Sequence, residues 1–314
     1  MPSCTISYII IDMKNIMVFG AAVCDIAAYV KKLPKGNEEI ELLHSDQRLS
    51  GAGVDAVAVL NGLQLQYDLM APCGSGVYGD AVREMAEKAG IELHIEREDT
   101  NGCTYHMIDP EGRSSYMCVP GCEYDYDEND TMYADADDIL AIVVFGDMLS
   151  GEGADELISF LDRCDVPLYI IPDGMVGDMD DDVKEALVTF QAVWILREGE
   201  ASELTRQQDM DAADRVLIDN GGTVITAGKD GLLCRTVDED FRTPSIDDLF
   251  EEEKTLHTAE TAFAASCAAG VDMRNALMFA EGIGERMVKN GGTMDDFDWT
   301  EQRQRLVRMI TYRS

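Results

Sequence analysis

Short apolar runs alternate with helical segments along most of the chain, and this alternation restricts the fold more than any other feature. The apolar runs lie at 16–19, 67–71, 139–145, 167–171, 192–196 and 223–227. The helical patterns lie at 51–63, 80–89, 153–163, 181–190, 199–207 and 211–220. Strands separated by helices of about 10–15 residues indicate a parallel sheet, with helices packed on both faces. The sequence therefore predicts an α/β fold, a three-layer αβα sandwich whose ligands bind beside the carboxyl ends of the strands.

Two further segments have the weak alternation of exposed strands. They lie at 37–50 and at 103–118, and the second is centred on the turn sequence Asp109-Pro110-Glu111-Gly112. We expect the hairpin at 103–118 to pair with 37–50. Together, segments of about 37–50 and 102–122 would form a small β-sheet lid outside the main core.

The remaining segments complete the predicted organisation. From about 258 to 289 the pattern favours two helices with a break at 270–272. Residues 1–12 precede the sequence MKNIMVFG, so we interpret them as an N-terminal extension and expect 13–314 to form a single domain. Three histidines stand apart from other polar motifs, and we expect them to be isolated surface or lid residues: His44, His94 and His106.

The charge balance of the chain is strongly acidic. There are 61 acidic and 25 basic residues among 314, for a formal net charge of −36. A protein that binds nucleic acid needs clustered Lys and Arg, and the sequence has no basic stripe. The composition therefore argues against nucleic acid and anionic membrane surfaces as partners. It favours a solvated acidic surface, and it makes the binding of ATP depend on local cations or Mg²⁺.

Cysteine usage and the amino-terminal sequence indicate a compartment. Nine cysteines are scattered without the CxxC or Cys/His spacing of a zinc site. Such an odd, scattered set fits buried thiols of a reducing compartment better than a disulfide framework. The apolar segment 5–11 is short and lacks a cationic lead, so it is neither a signal peptide nor a membrane span. We therefore expect a cytoplasmic protein.

Five segments that follow or flank the predicted strands form an ordered set. In chain order they are MVFGAAVCDI (17–26), SGAGVDAVAVLNGL (50–63), CGSGVYGD (73–80), ILREGEASEL (195–204) and TAGKDG (226–231). Each segment is short, but their order and spacing are specific in combination. Over about 17–292 the chain resembles the ribokinase-like sugar kinases, also called the phosphofructokinase B family.

The resemblance implies a sugar site near the first strand. In the family an Asp just past that strand hydrogen-bonds sugar hydroxyls; Asp25 stands there, and a carboxylate accepts two hydroxyl hydrogens. Gly51 and Gly53 match the family's Gly-rich segment, and Asp55 replaces an Asn that contacts the sugar, with loss of the amide donors. The residues alone leave other roles open. Asp25 would otherwise be a helix cap or a surface residue, and the glycines would only let helix and sheet approach closely.

The resemblance also implies ATP and Mg²⁺ on the nucleotide side. Thr226, Gly228 and Gly231 match the family's T-x-G-x-x-G turn, although an ordinary αβ unit also uses such a turn. Glu200 matches the Glu of the family's N-x-x-E segment, which is linked to the Mg²⁺ and phosphate site, while Arg197 replaces the Asn. These positions imply nucleotide binding and an indirect metal role for Glu200.

The segment TLHTAETAF at 255–263 departs from the family signature D-T-x-G-A-G-D-x-F. In the family this segment starts a helix, its amides form an anion hole, and its last Asp deprotonates the attacking hydroxyl. Here Thr261 stands at the base position, where a hydroxyl is not a usable base near neutral pH. Thr258 and Glu260 replace both glycines, and Glu260 would place a negative charge where the phosphoryl group belongs. The segment is therefore interpreted as disabled, with His257 or Glu260 as replacement base the alternative.

Three functions follow from these observations. The first is a family member that binds a sugar or nucleoside-like ligand without kinase activity. The second is an active ATP- and Mg²⁺-dependent kinase that phosphorylates a primary hydroxyl with a non-standard base. The third is a structural or assembly protein, because the lid of relatives often pairs between subunits and implies a homodimer.

Overall fold

The computed structural model describes residues 14–132, 136–228, 231–244, 253–290 and 297–311. The strands are β1 (Asn15–Phe19), β2 (Val23–Val30), β3 (Leu42–Ser50), β4 (Tyr67–Met70), β5 (Pro72–Ser75), β6 (Ile95–Thr100), β7 (Cys103–Ile108), β8 (Ser114–Val119), β9 (Ile139–Phe145), β10 (Leu168–Ile171), β11 (Val193–Arg197), β12 (Thr223–Gly228), β13 (Gly231–Arg235) and β14 (Asp240–Arg242). The helices are α1 (Ala52–Leu63), α2 (Gly76–Ala89), α3 (Gly146–Leu149), α4 (Ala154–Arg163), α5 (Asp181–Leu187), α6 (Glu200–Thr205), α7 (Met210–Asp219), α8 (Glu253–Ala268), α9 (Met273–Lys289) and α10 (Trp299–Thr311). The predicted extension at 1–12 lies outside the described residues.

The main sheet has eight strands in the order β14-β13-β12-β11-β10-β9-β1-β4. The six strands from β12 to β4 are parallel, and β13 and β14 continue the sheet antiparallel. In chain order, β4 lies on one side of β1, and β9 to β14 follow one after another on its other side. The crevice between the carboxyl ends of β1 and β9 is therefore the switch point at which sheets of this kind bind ligands. The predicted α/β sandwich with a parallel-rich sheet is confirmed.

Both faces of the main sheet are covered by apolar cores, because successive residues of a strand point to opposite faces. In β1, Ile16 and Val18 pack with α1, α8 and α9, whereas Met17 and Phe19 pack with α4 to α7. All four side chains are at most 1% exposed. This two-sided burial explains why the strands read as uninterrupted apolar runs in the sequence.

The small sheet exists, but its strand order differs from the prediction. It has four strands in the order β3-β2-β7-β8. The strand β2, which the sequence pattern did not identify, lies at its centre and pairs with both β3 and β7. The predicted pairing of the hairpin at 103–118 with 37–50 is therefore wrong, since β2 separates them. Within 37–50 the strand begins only at Leu42.

The helices predicted from the sequence agree with the structure to within a few residues at most ends, whereas α3 and α10 were not predicted. The predicted break near 270–272 is confirmed, since α8 ends at Ala268 and α9 begins at Met273. The start of α8 differs, because the helix begins at Glu253 rather than near residue 258. Within the described ranges, no helix combines the length and apolarity needed to cross a bilayer.

Candidate functional site

Two loops meet at the switch point, and Asp147 joins them. The loop after β1 contains Ala21, whose backbone N–H donates to Oδ2 of Asp147 at 2.9 Å. The N–H of Met148 donates to the other oxygen of the same carboxylate at 2.8 Å. Loss of solvent around Asp147 raises its pKa to about 6, and the nearby carboxylate of Asp173 adds to this rise. Asp147, in α3, thus holds the loop after β1 against the helix that directly follows β9.

The start of α1 approaches the loop after β1 too closely for side chains. Gly51 has φ +112°, and a Cβ there would overlap the carbonyl oxygen of Ala21. A Cβ on Gly53 would overlap the carbonyl oxygen of Gly20. Glycine is therefore required at residue 51 by the backbone angle and the lack of space, and at residue 53 by the lack of space. This contact supports the packing role for Gly51 and Gly53, and their contact with a sugar stays a prediction.

His257 of α8 lies between two aspartates from other elements. Its Nε2 donates to Oδ2 of Asp173 at 2.7 Å, and its Nδ1 donates to Oδ2 of Asp55 at 3.1 Å. The imidazole is 5% exposed, and its ring packs edge-on against Phe145 with centroids 5.6 Å apart. Burial alone lowers the pKa of His257, but the two carboxylates outweigh burial and raise this pKa well above the usual value. The two carboxylates thus favour the protonated ring, which makes His257 a poor general base.

Asp173 is positioned by an unusual backbone. It follows β10 after a single proline and has φ +55°, a left-handed conformation that Asp adopts more readily than most residues. Its side chain is 11% exposed. One carboxylate oxygen pairs with Arg197, at the end of β11, and the other accepts from His257. Asp173 therefore links the loops after two neighbouring strands to α8.

Glu200 is held by backbone amides. Its Oε1 accepts the N–H of Gly174 at 2.5 Å, and its Oε2 accepts the N–H of Arg197 at 2.6 Å. Burial raises the pKa of Glu200, and these two bonds counteract part of that rise. The carboxylate thus ties the loop after β10 to the end of β11. The implied metal role of Glu200 stays a prediction, and both of its oxygens are already engaged.

Glu260 is buried beside this cluster and differs from the sequence-based expectation. It is 4% exposed, and its Oε2 has no hydrogen-bond partner among the described residues. Ligand atoms of Glu260, Asp173 and His257 all lie within 4.8 Å of one another. Burial raises the pKa of Glu260 to about 8, with a further rise from Asp173. Burial therefore favours the neutral form of this carboxyl, against the predicted negative charge.

The amides that would form an anion hole lie inside a helix. Because α8 begins at Glu253, residues 257–261 stand at its fifth to ninth positions rather than at its start. In an α-helix each N–H from the fifth position onward donates to the carbonyl four residues earlier. The predicted placement of this segment at a helix start is wrong. Thr261, at the implied base position, is fully buried, and its Oγ1 has no partner among the described residues.

The described residues do not fit the phosphates of ATP·Mg²⁺ in the way the family signature implies. The site gathers four carboxylates, Asp55, Asp147, Asp173 and Glu200, together with the buried carboxyl of Glu260, against the cations Arg197 and His257. Both cations are paired with carboxylates. Such a surrounding repels polyphosphate unless added cations neutralise it.

The nucleotide-side residues form an antiparallel hairpin. Thr226 lies in β12 opposite Leu233 of β13, and Gly228 pairs with Gly231 across the turn. Gly231 has φ +97°, and a Cβ there would contact the carbonyl oxygen of Thr243. The two central residues of the predicted turn, 229 and 230, lie outside the described residues. Nucleotide binding by these residues stays a prediction.

Asp25 lies on β2, in the small sheet, beside two basic side chains. It is directly opposite Arg48 of β3, and its Oδ2 is 3.8 Å from Nδ1 of His106 on β7. Asp25 is 8% exposed, and its Oδ1 has no hydrogen-bond partner among the described residues. Burial raises the pKa of Asp25, while His106 and Arg48 lower it. His106 was expected to be isolated; this is wrong, although its place in the lid is as predicted.

Comparison with known proteins gives one curated relative and many structural neighbours. No family model matches the chain. An uncharacterized sugar kinase of Escherichia coli (strain K12), YegV, is 24% identical over 218 residues, which cover 69% of this chain and 65% of the relative's length. Ribokinase of Thermotoga maritima superposes with a TM-score of 0.72 at 16% identity, over 94% of this chain and 100% of that one. A PfkB protein from Polaromonas sp. JS666 gives 0.72 at 14% identity, over 93% and 99%.

The chain has the ribokinase fold. The resemblance to ribokinase-like carbohydrate kinases stated from the sequence is confirmed. Ribokinase of Arabidopsis thaliana, solved with ribose and ATP, superposes with a TM-score of 0.69 at 16% identity, over 94% of this chain and 99% of that one.

Within this ribokinase fold, sequence reasoning missed two residues of the central cluster. Asp147 and Asp173 were not singled out, although each follows an apolar strand almost directly. Carboxylates at the carboxyl ends of adjacent parallel strands are expected to converge at one edge of a sheet. That signal was present in the sequences VVFGD and YIIPD. The family motifs drew attention to other positions instead.

Proposed function

We propose that this ribokinase-fold protein binds a sugar or nucleoside-like ligand and does not transfer phosphoryl groups by its family's route. The observation that carries the proposal is the continuation of α8 through residues 257–261. The amides of these residues are committed to the helix, and the base position is occupied by the buried Thr261. Loss of such donors costs roughly 10²–10³-fold in rate, and loss of a general base costs roughly 10²–10⁴-fold.

The ligand side of the proposal rests on Asp25. A mostly buried carboxylate with one unpartnered oxygen is costly unless a donor reaches it. The hydroxyls of a sugar are such donors, and charge-assisted bonds to a carboxylate are stronger than neutral ones. Structural neighbours give the chemistry to search: one was solved with ribose and ATP, another, a nucleoside kinase of Burkholderia thailandensis, with inosine.

Binding measurements test the proposal directly. Pentoses, hexoses and nucleosides, with D-ribose and inosine among them, are screened by thermal shift, and ATP·Mg²⁺ is titrated by calorimetry. We expect at least one sugar or nucleoside to raise the midpoint of unfolding while ATP·Mg²⁺ releases no heat of binding. Stabilisation by none of these compounds, or tight binding of ATP·Mg²⁺ with turnover, would contradict the proposal.

An active kinase with a non-standard base is the second candidate, and the named activity of the curated relative favours it. In that case ATP and Mg²⁺ are the cofactors, and a group other than Thr261 removes the proton. His257 and Glu260 are the buried titratable side chains nearest to Thr261 in the sequence. The calorimetric titration separates the two candidates, because only an active kinase must bind nucleotide.

The lid offers a surface for a homodimer. Apolar side chains about half exposed lie on its two edge strands: Leu42 and Leu43 on β3, and Tyr116, Met117 and Val119 on β8. Such edges invite pairing with another chain, and apolar side chains favour contact. We propose that two copies associate through the lid. Light scattering tests this, and replacing Leu42 and Leu43 with serine is expected to give monomers.

A further inference from the structure

The three residues Asp173, His257 and Glu260 carry an inference beyond sugar or nucleotide binding. They come from two elements, the loop after β10 and α8, and their ligand atoms lie within 4.8 Å of one another. His257 and Glu260 are buried, and Asp173 exposes 11% of its side chain. We propose that these residues bind one divalent transition-metal ion, with Zn²⁺ the simplest probe.

The donor set is of the type that such ions prefer. One imidazole nitrogen and two carboxylate oxygens suit Zn²⁺ and its first-row neighbours rather than Ca²⁺ or Mg²⁺. Bonds of about 2.0–2.2 Å to nitrogen and oxygen require the three ligand atoms to close on one point. These atoms now lie within 4.8 Å of one another, so metal binding would draw them closer together.

Glu260 supplies an independent observation. Its Oε2 is buried and has no hydrogen-bond partner among the described residues. A carboxylate oxygen of the same residue lies within 4.8 Å of ligand atoms of Asp173 and His257. A buried carboxyl oxygen without a partner is rare, because it loses the hydrogen bonds that water would give it. A bound metal ion would provide that partner.

Asp55 supports the geometry from the opposite side of the imidazole. Its Oδ2 accepts from Nδ1 of His257 at 3.1 Å, which leaves Nε2 to face Asp173 at 2.7 Å. Metal-binding histidines generally donate their other N–H to a carboxylate in this way. The ion replaces the proton that Nε2 now donates to Asp173 and the proton that burial favours on Glu260, and both protons pass to solvent. Asp55 is therefore a positioning residue rather than a metal ligand.

Charge favours a cation in this place. Asp173 uses its other oxygen to pair with Arg197, so the oxygen facing His257 remains directed at the cluster. Asp147 and Glu200 bring further negative charge to the same edge of the sheet. A divalent ion offsets this excess of carboxylates over cations.

The test uses the full chain, freed of metal with a chelator and titrated with Co²⁺, whose visible absorption reports coordination. Zn²⁺ is then added in competition, and native mass spectrometry gives the number of ions. We expect one tightly bound equivalent that Zn²⁺ displaces. Glu260→Gln is expected to weaken this binding at least tenfold, which is the lower end of the loss seen when even a supporting group is removed.

Two controls make the result decisive. His44→Asn removes the exposed histidine that pairs with Asp46 at 2.8 Å in the lid, and it should bind Co²⁺ as the unchanged chain does. Circular dichroism confirms that Glu260→Gln is folded. Equal affinity in Glu260→Gln and the unchanged chain, or only weak binding of many ions to the acidic surface, overturns the proposal. Asp25→Asn should bind the metal normally and the sugar more weakly. Failure of the metal proposal can therefore be told apart from failure of the proposed function.

Discussion

Nε2 of His257 lies 2.7 Å from Oδ2 of Asp173, and this contact joins α8 to the carboxyl end of β10. The partners are 84 residues apart in sequence, and the imidazole is 5% exposed. Together with the contact to Asp55, it places a cation between two carboxylates at the switch point of the sheet. In this chain a buried ion-pair network occupies the place where the family signature implies an anion hole.

Replacement of His257 should destabilise the fold strongly. In His257→Asn the carboxylates of Asp55 and Asp173 lose the cation between them, and removal of one member of a buried pair costs about 3–5 kcal/mol. Urea denaturation gives the free energy of unfolding. The matched control, His44→Asn, removes an exposed pair and should change this free energy by less than about 0.5 kcal/mol. Equal free energies of unfolding in the two variants would show that the ion pairs of His257 do not stabilise the fold.

Stability of the metal-free chain should fall as pH rises from about 5 to about 8. The folded state keeps the proton of Glu260 up to about pH 8, whereas the unfolded chain releases it near 4.5. Between these values the folded state binds more protons, so a rise in pH favours unfolding. The raised pKa of His257 acts in the same direction, because the stabilising charge of the imidazolium is lost as pH rises through this raised pKa. Thermal unfolding across this pH range measures the effect.

Glu260→Gln should reduce that pH dependence. Glutamine resembles the protonated carboxyl in shape but does not titrate, so the contribution between pH 4.5 and 8 disappears. Glu285→Gln removes an exposed carboxylate whose pKa is held below its usual value by Lys289, so it should leave the profile between about pH 5 and pH 8 unchanged. An identical profile for Glu260→Gln and the unchanged chain would mean that Glu260 ionises normally in the fold.

Thr261 should tolerate an apolar substitution better than an acidic one. Its buried Oγ1 has no partner among the described residues, so Thr261→Val is expected to leave stability unchanged or raise it by about 1 kcal/mol. Thr261→Asp restores the family residue but buries another carboxylate beside Glu260, at an expected cost of about 2–4 kcal/mol. We expect no turnover from Thr261→Asp, since the amides of α8 stay within the helix. Gain of kinase activity in this variant would contradict that argument.

Asp25 should control ligand affinity without controlling stability. Asp25→Asn keeps the size of the side chain but removes its charge, so hydroxyls lose a charge-assisted acceptor. We expect the sugar or nucleoside that stabilises the chain in screening to bind at least tenfold more weakly, a loss of about 1.4 kcal/mol. Calorimetry measures the affinity. Asp46→Asn, an exposed change in the same sheet, should bind normally; equal weakening in both variants would remove the special role of Asp25.

The main sheet could be predicted because its strands carry the pattern of two-sided burial. Residues such as Val18 and Val143 are buried on one face while their neighbours are buried on the other, which gives uninterrupted apolar runs. The strand β2 gave no such signal. It follows β1 after a short loop, so its apolar residues merged with those of the first strand. Its place at the centre of the small sheet depends on pairing with β7, some 80 residues away.

The candidate site could be predicted only in part. The motifs gave Asp55, His257 and Glu260, because a family pattern assigns meaning to single positions. They did not give Asp173, whose role depends on its left-handed backbone and on contacts with Arg197 and His257. The charge of Glu260 was also misjudged, because it depends on burial, which a sequence does not report. The longer α8 changed the interpretation of the whole segment.

The most direct test of the central claim is a turnover measurement. The purified chain is incubated with ATP, Mg²⁺ and each sugar or nucleoside of the screen, and ADP formation is followed beside an active ribokinase. Because the amides of 257–261 are committed to α8, we predict no ADP formation above the protein-free rate, even with a compound that stabilises the fold. Turnover at roughly 1 s⁻¹ or faster, the ordinary range for enzymes, would contradict the account.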